Sequence, residues 1–166
     1  MVNQRKHPYA KCEECPLFET GKYVGTAGPT NAEIAVCGES PSRTDVSSGQ
    51  VFTGPSGRLL DTVLEHHELE KNDILFTNAT LCRPIDGSAP PKSAILACRR
   101  RLISELEERG VRHAIALGNS AADSLLGRQG VTQLRIGPPR TSPYSDRFDV
   151  VPTINPAACF RQADQF

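Results

Sequence analysis

The sequence predicts an α/β fold in which helices cover both faces of a parallel sheet. Three observations predict it. Short apolar runs at residues 34–37, 74–77, 113–117 and 150–154 alternate with segments whose apolar residues recur at helical spacing. Each run is apolar throughout, as expected for strands buried on both faces. Right-handed crossovers then make every strand point the same way, so the loops that follow them open at one sheet edge. Glu39, Asn78 and Asn155 follow the first, second and last runs and converge there, although they are far apart in the chain.

Residues 1–32 are polar and carry Cys12-Glu13-Glu14-Cys15-Pro16, read as a short helix or turn, with a Gly-rich loop over 21–29. The strand at 34–37 runs into Gly38-Glu39-Ser40-Pro41-Ser42, then into a loop holding Gly49, Phe52, Gly54 and Gly57. A strand that ends in such a loop and hands over to a helix is where open α/β sheets place ligands, and glycine lets backbone approach a ligand closely. Glu39 and Asp45 are the acids of the loop, and Phe52 is its apolar ring. Ser56 is read as the N-cap of a helix with Leu59, Leu60, Val63 and Leu64 on one face, ending near His66-His67. Strand 74–77 delivers Asn78 to a loop over 79–91 that contains Cys82-Arg83-Pro84. Ser93 is read as the cap of a second helix, with Ile95, Leu96, Leu102, Ile103 and Leu106 on its apolar side and Gly110 after its end. After strand 113–117, Gly118-Asn119 turns into a short helix over 120–126, stopped by Gly127. Residues 128–148 read as loop with a short strand near 134–136, and the last strand passes Asn155-Pro156-Ala157 to a loop or helix start.

With 166 residues, the chain suits one domain spanning 1–166. Thirteen prolines and thirteen glycines point to many loops. A formal net charge of zero excludes a global field for nucleic acid, so any such binding rests on a local basic patch. There is no apolar run near 18 residues and no apolar signal-peptide core at the N-terminus, so a cytoplasmic protein without membrane contact is expected. Six cysteines in a reducing compartment read as metal ligands or buried thiols rather than disulfides. Cys12 and Cys15 form a C-x2-C pair, and Cys82 and Cys98 stand fifteen residues apart. Four thiolates suit zinc or an iron–sulfur cluster. The second pair is not a zinc knuckle, which favours [4Fe–4S]; four unrelated buried thiols remain the alternative. Cys37 and Cys159 read as packing residues.

Together these pieces resemble the family 4 uracil-DNA glycosylases, the iron–sulfur type. The family's C-x2-C-P-L is similar to Cys12-Glu13-Glu14-Cys15-Pro16-Leu17. Its G-E-x-P-G and G-x-P-F-V-G-x-x-G motifs are similar to Gly38-Glu39-Ser40-Pro41-Ser42 and Gly49-Gln50-Val51-Phe52-Thr53-Gly54-Pro55-Ser56-Gly57. T-N-x-x-K-C-R-P-P is similar to Thr77-Asn78-Ala79-Thr80-Leu81-Cys82-Arg83-Pro84-Ile85, L-G-x-x-A to Leu117-Gly118-Asn119-Ser120-Ala121, and H-P-S/A to Asn155-Pro156-Ala157. The resemblance covers nearly the whole chain. It implies an α/β/α sandwich around a four-stranded parallel sheet, and a monomer that excises uracil or a related deaminated or modified base from DNA. It implies a [4Fe–4S] cluster on Cys12, Cys15, Cys82 and Cys98. It further implies that Asn78 reads the base edge and Phe52 stacks on the ring. Glu39, with its loop backbone at Gly38, acts on water, and residue 155 donates to a base oxygen. Arg161 and Phe160 lie where the family has a loop entering the duplex, and Arg83 and Arg99-Arg100-Arg101 are placed to meet phosphates. The chain departs from the family in three places. Asn155 replaces a histidine. Ser42 replaces a glycine, with only Asp45 left of an acidic run. A C-terminal helix usual in the family is expected to be shortened or absent. The alternative function implied by these departures is a weak or inactive relative that binds DNA or a modified base without excision.

Overall fold

A computed structural model describes residues 6–163, with backbone alone for 161–163. The elements in chain order are β1 (Lys22–Tyr23), β2 (Ile34–Gly38), α1 (Arg43–Ser48), α2 (Pro55–His66), β3 (Ile74–Asn78), β4 (Cys82–Arg83), α3 (Lys92–Glu108), β5 (His113–Leu117), α4 (Asn119–Leu126), α5 (Val131–Leu134), β6 (Arg140–Ser142), β7 (Ser145–Thr153) and α6 (Ala157–Ala163). The main sheet has the order β3-β2-β5-β7-β6. The first four strands in that order are parallel, and β6 pairs antiparallel with β7 at the edge. The expected four-stranded parallel sheet is therefore present, extended by one short hairpin strand.

Alternation along the strands divides the core into two layers. Ala35, Cys37, Leu75, Ala114 and Ala116 face Leu102 and Leu106 of α3 and Leu125 of α4. Val36, Ile74, Phe76 and Leu117 face Leu60 and Leu64 of α2. The sheet is thus covered on both faces, which gives the three-layer α/β/α sandwich that the apolar runs predict. Small alanines on the first face let α3 and α4 approach the sheet closely. A second, two-stranded sheet pairs β1 with β4, Tyr23 opposite Cys82. Together with Lys11 N–H donating to Ala97 O at 2.9 Å, it ties the N-terminal segment to α3.

Several boundaries differ from the sequence expectation, each for a local reason. Residues 43–48 form a helix, α1, rather than loop. Ser42 caps it, with Asp45 completing a reciprocal capping box and Gly49 closing it in the left-handed region. Helix α2 starts at Pro55 with Gly54 as its N-cap, not at Ser56, because proline's fixed φ suits the first helical position. Helix α3 is preceded by Pro91 and has no side-chain cap, so Ser93 does not cap it. Residues 131–134 form a helical turn, and the edge strand lies further on at 140–142. Val63 and Leu96, expected on apolar faces, are exposed. Among the described residues, no helix is long and apolar enough to cross a membrane.

Candidate active site

The C-terminal edge of the sheet forms a cavity of about 210 Å3. Its floor is the paired ends of β2 and β3, where Gly38 stands opposite Asn78. A Cβ at Gly38 would lie 2.4 Å from Asn78 Oδ1 and 2.9 Å from Phe52 Cζ, so glycine is required for the amide and the ring to meet over this strand end. Asn78 is buried, and its Nδ2 has no hydrogen-bond partner in the protein. A buried amide donor left unpaired is costly, so its place in a residue that lines the cavity calls for an explanation.

Phe52 forms the adjacent wall. Its backbone is left-handed, φ 58°, a conformation that costs about 1–2 kcal/mol for a residue with a side chain. Neighbouring contacts impose it. Asp45, buried, accepts from Ser42 N–H with Oδ2 at 2.8 Å, and from Thr53 N–H and Thr53 Oγ1 with Oδ1 at 2.8 and 3.0 Å. One carboxylate thus clamps both ends of the loop that carries the ring. Gly57 completes the turn, since a Cβ there would lie 1.8 Å from Phe52 O. The ring packs at a tilt on Phe76, with centroids 5.7 Å apart. Asp45, read from the sequence as an acid of the ligand loop, lines the cavity, yet its oxygens are committed to this clamp.

Glu39 follows Gly38 and is half-buried. Its Oε2 accepts from Ser120 Oγ at 2.7 Å, a hydroxyl buried at the start of α4. Sequence reasoning gave Ser120 no role, although it lies inside the quoted Leu117–Ala121 segment. Asn155 follows β7, and its Oδ1 accepts from Ala157 N–H at 2.9 Å. The amide is thereby oriented, with Nδ2 left as donor. A Cβ at Gly118, φ 85°, would lie 3.0 Å from Asn155 Cβ, so α4 and the segment after β7 close on each other here. Gly38, Glu39, Asp45, Phe52, Asn78 and Asn155 therefore line one cavity.

The arginines divide. Arg83 lines the cavity, with Nη1 donating to Pro41 O at 3.4 Å and the guanidinium packed against Gly87. In the neighbouring turn the Ser88 hydroxyl and N–H hold the Asp86 carboxyl below its usual range. Arg161 has no described side chain; its backbone lies in α6 beside exposed Phe160. Of the 99–101 run only Arg100 is exposed. Arg99 packs on Asp123 and stacks over Tyr144 at 4.5 Å. Arg101 is wholly buried and bonds the end of β3. The sequence expectation of a phosphate-contacting run is corrected for these two: the helical period turns them towards α4 and the sheet.

Cys12 and Cys82 are buried, Cys15 and Cys98 half-buried. They share one neighbourhood. Burial raises the Cys15 thiol, as do the charges of Cys98, Cys82 and Cys12. Burial likewise raises Cys82, opposed by the Lys6 ammonium 3.6 Å from its sulfur. Among the described residues no group of three or more His, Cys, Asp or Glu side chains is arranged to hold a single metal ion. Cys37 is a core residue whose thiol burial pushes up to about 12. Cys159 is exposed, so its expected packing role is corrected.

A sheet of this kind with a pocket at the carboxyl ends of its parallel strands defines an α/β protein with its ligand site at the sheet edge. The family model of the uracil DNA glycosylase superfamily matches residues 25–166, and the chain belongs to that superfamily. Three relatives are each named type-4 uracil-DNA glycosylase. The one from Pyrobaculum aerophilum is 29% identical, over 96% of this chain and 85% of its own. The one from Saccharolobus solfataricus is 31% identical over 89% and 72%. The one from Archaeoglobus fulgidus is 33% identical over 67% and 56%. The chain is a type-4 member of the superfamily.

Proposed function

We propose that this protein is a DNA-repair hydrolase that flips uracil out of DNA and cleaves its N-glycosidic bond. The observation that carries this reading is the buried, unpartnered Asn78 amide beside the Phe52 ring at the bottom of a cavity sized for one base. Extruding a base costs a few kcal/mol, which the pocket offsets by stacking and hydrogen bonding. Phe52 stacks on the ring. The Asn78 amide offers a donor and an acceptor to the uracil edge, a pattern that cytosine reverses. As the bond breaks, positive charge grows on the sugar and the electron pair passes to the base. Asn155 Nδ2 donates to the base oxygen where that negative charge gathers. Glu39 has one oxygen taken by Ser120, and its other oxygen holds the water that adds to the sugar carbon. Arg83 and Arg161 meet the DNA backbone, and residues 1–166 work as one domain, a monomer in the cytoplasm.

Cys12, Cys15, Cys82 and Cys98 are the residues that would hold a [4Fe–4S] cluster, which an all-sulfur donor set suits. Zinc, which four thiolates also suit, is the alternative occupant. When bound, the cluster supplies anchoring: it joins the N-terminal segment to β4 and α3. Equal amounts of iron and acid-labile sulfide, both lost in Cys98→Ala, check this assignment.

Asn155 is neutral where the family has histidine, so slow turnover is expected. The experiment is incubation of a labelled single-stranded oligonucleotide with one uracil, followed by alkali. Scission that disappears in Asn78→Ala supports excision; tight binding without scission by the wild type supports a binder instead.

A further inference from the structure

We propose that Arg101 is a positioning residue for base recognition, holding Asn78 in register from behind; this rests on Asn78 being the base-reading residue. Arg101 is wholly buried on α3, beside the core residues Leu102 and Leu106. Its guanidinium spans the end of β3. Nη2 donates to Asn78 O at 2.6 Å and to Ala79 O at 3.1 Å. Nη1 donates to Thr77 Oγ1 at 3.0 Å and to Glu105 Oε2 at 3.0 Å, and Glu105 balances the charge. From the other side, Ala79 N–H donates to Gly38 O at 2.8 Å and Thr80 N–H to Glu39 O at 3.1 Å.

These bonds fix the peptide planes on both sides of Ala79. The carbonyls of 78 and 79 have left the parallel ladder, and without Arg101 they would be buried and unpaired. The amide of Asn78 has no protein partner at Nδ2, so its aim depends on the backbone that carries it. A planar fork of donors reaches a hydroxyl and two successive carbonyls at once; a lysine ammonium is a single point and cannot. A buried ion pair is weak evidence for a stabilising role, since apolar residues of like volume often serve as well. What the arginine supplies that an apolar residue could not is the bonding of these two carbonyls.

The test is a double-mutant cycle on single-turnover uracil excision from a single-stranded oligonucleotide. Arg101→Met is combined with Glu105→Gln so that no carboxylate is left unpaired. In the wild-type background the pair is expected to lower the rate about 100-fold, the effect of a misplacement near 1 Å. In Asn78→Ala it is expected to change the residual rate less than threefold. Arg101→Lys, which keeps the charge beside Glu105, is expected to recover part of the rate, and carries the same cycle if the double variant lacks a cooperative melt. Equal losses in both backgrounds, or no loss in the wild-type background, overturn the positioning role. A wild type that leaves uracil in place overturns the glycosylase reading and this one with it.

Discussion

The floor of the cavity and its rim are built in different ways. Floor residues Gly38, Phe52 and Asn78 are over-determined: a parallel strand pair beneath, the Asp45 clamp around the ring, a close approach at Gly57 and the Arg101 fork behind. The rim residue Asn155 follows the last paired strand, is half-buried, and is oriented by one bond to Ala157 N–H. By the motifs the chain resembles, the floor matches at each of the three positions, and the rim is where asparagine stands in place of histidine. The proposed reading of the base demands fixed geometry, and the residues given that role are the locked ones. A leaving-group donor needs only one N–H in place, which more than one residue type can supply at different strengths.

The sharpest way to break that contrast is Gly57→Ala. Its Cβ cannot coexist with Phe52 O at 1.8 Å, so the ring-bearing loop must move. Excision is expected to fall more than about 100-fold, with a loss of about 1–3 kcal/mol from overpacking, read by single-turnover kinetics and urea melts. Unchanged excision would show that the floor is not fixed. The rim responds next. Asn155→Ala removes the donor, and a loss of about 100-fold is expected, with about 1 kcal/mol of stability lost because the Ala157 N–H also loses its acceptor. The amide does not titrate, so the rim donor contributes no break near pH 6.5 to the wild-type rate profile, whereas Asn155→His introduces one near that pH. A profile for Asn155→His that matches the wild type would mean that residue 155 does not touch the reacting base.

Legibility followed the same division. Strands β2, β3 and β5 could be read from their runs because both faces are apolar, and the convergence of Glu39, Asn78 and Asn155 follows from strand direction alone. Helix α1 could not be read so: a Ser42/Asp45 pair in a Gly- and Ser-rich stretch has little apolar periodicity, and its stability comes from the capping box. The same pair hid the clamp. Asp45 looked like the remnant of an acidic ligand run, and only its three donors show where its charge is used. The 99–101 run misled because charge in a linear sequence says nothing of which helix face each residue takes. Thiol spacing pointed to a four-sulfur set, but the tie between the N-terminal segment and Cys82 depends on β4 pairing with a two-residue strand too short to predict.

A smaller effect sharpens the floor further. Asp45→Asn keeps the shape but turns one acceptor into a donor facing Ser42 N–H or Thr53 N–H. A destabilisation of about 1–3 kcal/mol is expected, seen as a lower urea midpoint, with excision reduced less than in Gly57→Ala because the backbone turn survives. Equal excision losses in the two variants would mean that the clamp, not the glycine approach, sets the ring.

The smallest change lies where floor and rim meet. Ser120 projects from α4 to Glu39 and, among the described residues, donates to that carboxylate. Removing a hydrogen bond of this kind costs about 1 kcal/mol, so Ser120→Ala is expected to slow excision about fivefold. The cost should fall on the chemical step rather than on DNA affinity if Glu39 acts, as proposed, on water and not on the base. Ser120→Thr retains the hydroxyl and should restore most of the rate. If Ser120→Ala instead weakens binding of a uracil-containing strand at unchanged single-turnover rate, then Glu39 belongs with the base-reading floor, and the division between a rigid reader and a separate reacting rim fails at this residue.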